Sequence, residues 1–256
     1  MNRLLAACVV AVLAAGAAVP AAMRAEASGS TGYDISWPQC SSSGRASTPT
    51  GGAFGIVGVT DGLPWSQNPC LAYEARWADT RPGQPAVYMN AANPGTRSTH
   101  WSSSGPKGAA CDPTNTDTTS AAYIACAYDY GWNAAGNAHG RAAPLAGAAS
   151  QTWWLDVETG NSWDGSGAAN AQDVQGSLDY LHSVGVSVVG VYSTAYQWNT
   201  ITGGYTFPSS TPEWLAGAGS VRQAQSFCGQ TPFGGANSRI TLTQYHAGGF
   251  DADLPC

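Results

Sequence analysis

Trp153-Trp154-Leu155-Asp156-Val157-Glu158-Thr159-Gly160 is a continuous apolar run that ends in two carboxylates one residue apart, followed by a glycine. Its aromatic content, its length and the closing turn residue read as a buried strand. Alternate strand residues share a face, and at ~3.3 Å rise per residue their Cα atoms lie about 6.6 Å apart. Asp156 and Glu158 therefore point the same way. Two acids this close oppose each other's ionisation, which favours one proton held near neutrality. A proton donor beside a carboxylate is what glycosidic bond cleavage requires. Two surface acids at a strand end would give the same pattern, so the flanking chain has to decide.

On the C-terminal side, Ala169 to Ser183 carries Val174, Leu178 and Leu181 at helical spacing. Val186 to Tyr192 (VSVVGVY) is a second fully buried strand, and Thr194 to Asn199 fits a short helix. Glu213 to Gly217, Ala224 to Phe227 and Arg239 to His246 read as strands with little helix between them. On the N-terminal side, strands are expected over Gly32 to Pro38, Phe54 to Thr60 and Pro85 to Asn90. Leu71 to Ala78 follows Asn68-Pro69 as a helix start, and Thr119 to Arg141 is Ala-rich and helical over at least its first half. Residues 95–118 are Gly, Ser, Thr and Pro-rich loop, long enough to be functional or disordered. Strands alternating with helices imply a parallel sheet covered on both faces. Eight such strands close into an α/β barrel of the TIM type, with the active site at the strand C-terminal ends.

That placement gathers residues far apart in sequence. Asp34, Asp61, Asn90, Asp156, Glu158, Tyr192 and His246 each fall at or just past the end of a strand, and Asp251 and Asp253 follow the last one. Polar residues emerge into water at any strand end, but only 10% of this chain is charged, and several acids converging on one rim fit a site better. Trp37, Trp65, Trp101, Trp163 and Trp198 can offer flat apolar faces to sugar rings, whereas Trp77 and Trp153 fit the core.

Composition narrows the partners. The 256 residues carry a formal net charge of -6, which argues against nucleic acid, since phosphates call for clustered Lys and Arg. Residues 1–27 read as a secretory signal, with Arg3 in the n-region, an apolar stretch from Leu4 to Val19, and Ala25-Glu26-Ala27 as cleavage site. The expected product is one secreted domain over 28–256, a monomer without a transmembrane helix. Leu5-Ala6-Ala7-Cys8 is like a lipoprotein box, but few residues precede it and the apolar stretch continues, which argues against lipid anchoring. Six cysteines remain behind the signal, an even number suited to disulfides. Their order suggests the local bridges Cys40 with Cys70, Cys111 with Cys126 and Cys228 with Cys256. No spacing suits zinc, Asp112, Asn115 and Asp117 have the wrong spacing for an EF-hand loop and fit turn chemistry, and no G-x-S-x-G occurs.

The chain resembles the glycoside hydrolase family 25 lysozymes, the N-acetylmuramidases, and in particular secreted actinobacterial relatives. The resemblance rests on Gly32-Tyr33-Asp34-Ile35-Ser36, Leu155-Asp156-Val157-Glu158, Gly190-Val191-Tyr192-Ser193, Trp214-Leu215-Ala216, and Gln244-Tyr245 followed by Asp251-Ala252-Asp253, all in family order. It implies a barrel of five β/α units followed by three strands with little helix. It also implies cleavage of the β-1,4 link from N-acetylmuramic acid to N-acetylglucosamine in peptidoglycan, with no cofactor and no metal. Glu158 would be the general acid/base, Asp156 and Asp34 would stabilise the transition state or hold the acetamido group, and Asp251 would be the fourth acid. Asp61, Asn90, Tyr192, Trp37, Trp214, Gln244, His246 and Asp253 are the expected substrate contacts. Of the family's two routes to retention, attack by the substrate's own acetamido oxygen fits a strand-neighbour pair better than a carboxylate nucleophile does. Departures are Thr243 where the family usually has Trp, the short end at Cys256 and the extra loop 95–118. They leave open a different wall polymer, or a barrel that binds wall carbohydrate without cutting it.

Overall fold

The computed structural model describes residues 31–101, 104–108, 111–142 and 152–256; the expected signal segment lies outside them. Eight strands close into a barrel in sequence order: β1 (Gly32–Ile35), β2 (Gly55–Gly58), β3 (Ala86–Asn90), β4 (Thr152–Asp156), β5 (Val188–Ser193), β6 (Thr211–Ala218), β7 (Ser238–Ala247) and β8 (Phe250–Pro255). β1 to β7 are parallel neighbours, while β8 runs antiparallel to both β7 and β1. Helices α1 (Leu71–Asp79), α2 (Ala121–Ala142), α3 (Gly167–Ser183), α4 (Ala195–Thr202) and α5 (Val221–Phe227) follow β2 to β6 in turn. No helix of the described residues is long and apolar enough to cross a membrane.

The barrel class matches the expectation, and three details correct it. Ala224 to Phe227, read as a strand, belongs to α5: Ser220 caps that helix by accepting from the Gln223 backbone N–H, and the Gln223 side chain takes the Gly219 N–H in return. The eighth strand is instead Phe250–Pro255, which makes the sheet mixed rather than parallel. The first unit has no α-helix. Pro38, Pro49, Gly51 and Gly52 interrupt its crossover; Cys40 ties the crossover to Cys70 at the start of α1, and the Pro49 carbonyl accepts from the Trp77 indole. The other two bridges pair Cys111 with Cys126 and Cys228 with Cys256.

Strand alternation divides β4 cleanly. Trp153, Leu155 and Val157 point outward into the main core, against Val174, Leu178 and Leu181 of α3 and the alanines of α2. Trp154 points inward with Ile56, Ala86, Trp214 and Leu242. Glycines make room for these large interior side chains: a Cβ on Gly190 would sit 2.5 Å from the Trp154 ring, and one on Gly58 2.8 Å from Tyr88. α2 and α3 cross backbone to backbone, since a Cβ on Gly131 would lie 1.9 Å from the Asp173 carbonyl oxygen.

Candidate active site

Because β8 is antiparallel, its first residues stand at the barrel mouth where the other strands end. Asp251 thereby pairs across the ladder with Asp34 of β1 on one side and with His246 of β7 on the other. Asp156 closes β4, and Glu158 follows two residues later on the same inward face. The mouth holds a cleft with about 550 Å³ of open space, lined by Asp34, Asp156, Glu158, Asp251, Tyr192, Trp214 and Gln244 among the sequence candidates, and also by Ser36, Pro38, Gln39 and Tyr88. Among the described residues, no Lys or Arg lines it. Tyr88, Tyr192 and Trp154 surround Trp214 edge-on at 4.6–6.3 Å, an aromatic floor beneath the acids.

Each acid is held differently. Asp156 is buried at 7% exposure. Its Oδ2 accepts from Asn90 Nδ2, which is oriented in turn because Asn90 Oδ1 accepts from the Thr60 hydroxyl at 2.7 Å. Its other oxygen has no partner. Burial, then the charges of Glu158 and Asp34, push the Asp156 carboxyl well above the usual range against the pull of Asn90. Asp34 accepts from Gln244 Nε2 at 3.0 Å, and Gln244 Oε1 accepts from the Tyr192 hydroxyl at 2.8 Å. Burial, with Asp251 adding, raises Asp34 to about 7. Burial first, and then the surrounding carboxylates, also keep the Tyr88 and Tyr192 phenols protonated far above the ordinary range. Glu158 is half-buried. Its carbonyl accepts from the Trp163 indole at 2.8 Å, which braces the loop that carries it.

Five expected contacts do not line the cleft. Asn90 is buried and acts on it only through its hydrogen bond to Asp156. Asp61 is exposed in the turn after β2 and does not line the cleft. His246 is exposed and reaches the cleft only through Asp251, 3.3 Å away. Trp37 is 43% exposed on the rim beside Pro38. Asp253 is wholly buried beneath Asp34, out of reach of a ligand. Among the proposed platforms, Trp101 and Trp198 are core residues at 2% and 1% exposure, and Trp65 is stacked on His100 at 3.9 Å. Sequence reasoning missed Ser36, Pro38, Gln39 and Tyr88, of which Tyr88 projects from the barrel interior. Its signal was the two-residue spacing from Asn90 on β3, which puts both on the inner face. Asp112 and Asp117 accept from Thr114 and Thr119 in tight turns, and no group of three or more potential metal ligands occurs among the described residues.

Residues 142–245 match the family described as lysozyme-like protein 1, a span that includes Asp156, Glu158, Tyr192, Trp214 and Gln244. Over 96 residues the chain is 42% identical to probable GH family 25 lysozyme 4 of Dictyostelium discoideum, covering 38% of this chain and 42% of that protein. Over 83 residues it is 35% identical to probable GH family 25 lysozyme 5 of the same organism, covering 32% and 37%. The matched stretches thus span less than half the length of these relatives. Among solved structures, a muramidase from Trichobolus zukalii superposes with a TM-score of 0.56 at 19% identity over 89% of this chain and 93% of that one. The bacterial lysozyme from Streptomyces coelicolor gives 0.55 at 17% identity over 88% and 90%. At these identities the solved structures share the barrel.

Proposed function

We propose that this chain, a relative of the glycoside hydrolase family 25 lysozymes, is secreted through residues 1–27 and hydrolyses the β-1,4 link from N-acetylmuramic acid to N-acetylglucosamine in bacterial peptidoglycan. The observation that carries the proposal is the gathering of acids from β1, β4 and β8 around one cleft, with Glu158 at its open side and Asp156 and Asp34 enclosed beneath.

In this mechanism Glu158 donates its proton to the glycosidic oxygen as the bond to C1 breaks, and the acetamido carbonyl oxygen of the same sugar attacks C1 from the opposite face. The resulting oxazolinium ring carries positive charge on its N–H. Asp156 is suited to receive that N–H, since its free oxygen has no partner in the protein. Asp34 adds negative charge from β1, across the barrel mouth. Water then attacks C1, giving its proton to Glu158, the ring opens, and configuration is retained. The hydroxyl of Tyr88 and the faces of Tyr192 and Trp214 shape the sugar's seat. Substrate closes the cleft to water, which strengthens each of these charge interactions.

Glu158→Gln, assayed by release of reducing ends from purified peptidoglycan, is expected to lose about a hundredfold or more of kcat with an unchanged fold. Full activity in that variant would overturn the proposal. Tight wall binding by the native chain without turnover between roughly pH 4 and 8 would do the same, in favour of a binding barrel.

A further inference from the structure

Asp253 is wholly buried, and the steps above give it no task. It enters the barrel interior from β8, opposite Gly32 of β1 and Gln244 of β7, on the same face as Asp251 two residues earlier. Neither of its oxygens receives a hydrogen bond of good geometry. The polar groups beside it are the Asp34 carboxyl and the Trp214 indole. A carboxylate ion enclosed this way has no solvent and only the Trp214 indole as a nearby donor, a state that buried acids avoid by staying protonated. A protonated carboxyl in the same place has an O–H to give, and Asp34 is the acceptor beside it.

We infer that Asp253 is a positioning residue that stays protonated through the working pH range and donates its O–H to Asp34, holding Asp34 as an oriented anion under the substrate. The catalytic part of this inference rests on the hydrolase function proposed above; the location of the proton does not. Three groups then fix Asp34 in sequence. The Tyr192 hydroxyl occupies Gln244 Oε1, so Gln244 presents its amino group to Asp34, and Asp253 donates from beneath. Burial pushes Asp253 well above the carboxylate range, with the charges of Asp34 and Asp251 adding. The other ionisable groups around the pair are Tyr88 on β3, Asp156 and Glu158 from β4, Tyr192 on β5, and His246 of β7 through its contact with Asp251. With no Lys or Arg lining the cleft among the described residues, a second negative charge on the pair is opposed from every described side except the imidazole's.

The test compares native chain, Asp253→Asn and Asp253→Ala in pH profiles of kcat/KM on peptidoglycan, with thermal melts to confirm folding. Asp253→Ala is expected to lose roughly tenfold or more, because Asp34 loses its buried donor. Asp253→Asn, whose amide can still donate, is expected to restore activity to within about threefold on the acid side. It should also lack the alkaline limb along which the native pair gives up its proton. An Asn variant with the native pH profile, or a folded Ala variant as active as the native chain, would overturn the inference. If Asp253→Ala does not fold, the Asn comparison decides. Independently of activity, the infrared C=O stretch of a protonated carboxyl should appear in the difference between native chain and Asp253→Asn at neutral pH. A missing difference band overturns the inference whatever the activity. A present band in a chain that releases no reducing ends sinks the hydrolase function while leaving the proton where we place it.

Discussion

The barrel mouth and the segment that leads into α2 treat their acids in opposite ways. In the segment, Asp112 and Asp117 accept both the hydroxyl and the backbone N–H of Thr114 and Thr119. These donors hold the two carboxyls below the usual range. The surrounding structure is equally well satisfied: Trp101 packs on Tyr123 at 4.7 Å, over the Cys111–Cys126 bridge. At the mouth, Asp34, Asp156 and Asp253 are buried with few donors and pushed upward. A structure optimised only for stability would supply donors to those acids or replace them. The segment is therefore read as an anchor that stabilises the fold, and the mouth as a place where stability is given up for chemistry.

This contrast is exposed most strongly by Trp101→Ala. Removing a core Trp is expected to cost about 3–5 kcal/mol of unfolding free energy, measured by urea denaturation, while the folded fraction keeps its kcat/KM on peptidoglycan. A folded Trp101→Ala protein with a large loss of turnover would show that the segment acts on the cleft, and the division would fall. Replacing Cys111 and Cys126 together by Ser comes next. The closed loop spans 15 positions, for which chain entropy gives roughly 3 kcal/mol. The same pair of assays should again show stability lost and turnover kept.

Asp156→Asn should do the reverse. The amide keeps an oxygen for Asn90 but removes an acid whose ionisation the site opposes, and kcat is expected to fall about a hundredfold, equivalent to about 2.7 kcal/mol. Stability at pH 7 should meanwhile rise by about 1 kcal/mol. A variant that loses both activity and stability would mean that Asp156 is a structural acid, and the mouth would lose its distinction from the anchor.

How much of this was legible depended on how far each residue's task was local. β4 and β5 stood out because a strand buried on both faces is a continuous apolar run. The convergence of Asp34, Asp156, Glu158 and Asp251 followed from barrel geometry alone once strand ends were placed. The α5 error was local and avoidable, since Ser220 and Gln223 have the spacing of a capping box. The direction of β8 was also written locally: Gly248 and Gly249 both take positive φ, 62° and 88°, between paired Ala247 and Phe250, the two-residue hairpin turn that glycine pairs favour. Other features had no local signature. Whether a Trp is platform or core depends on what packs over it, so Trp101 and Trp198 could not be told from Trp37. Asp253 reads from spacing as a rim residue like Asp251. Only the depth of β8 in the barrel separates them.

The smallest effect concerns an acid that belongs to neither region. Glu74 on α1 is fully buried. One oxygen accepts from Asn68 Nδ2 at 2.6 Å and the other has no partner. Burial raises its carboxyl from 4.5 to about 7 against the pull of Asn68. Between those two values the folded chain holds a proton that the unfolded chain has released. Stability is therefore greatest below the unfolded value, declines as pH rises from about 4.5 to about 7, and levels off above it. The proton shared by Asp34 and Asp253, both raised by burial, contributes a decline of the same sign. Glu74→Gln removes one proton from the linkage without touching the cleft. Urea midpoints for native chain and variant at pH 4.5 and 7.5 should show a shallower decline in the variant, with the remaining slope left to Asp34 and its neighbours, and kcat/KM should be unchanged. An unaltered slope would place Glu74 among the satisfied acids of the scaffold. The proton uptake on folding would then belong to the barrel mouth, sharpening the contrast between the two regions.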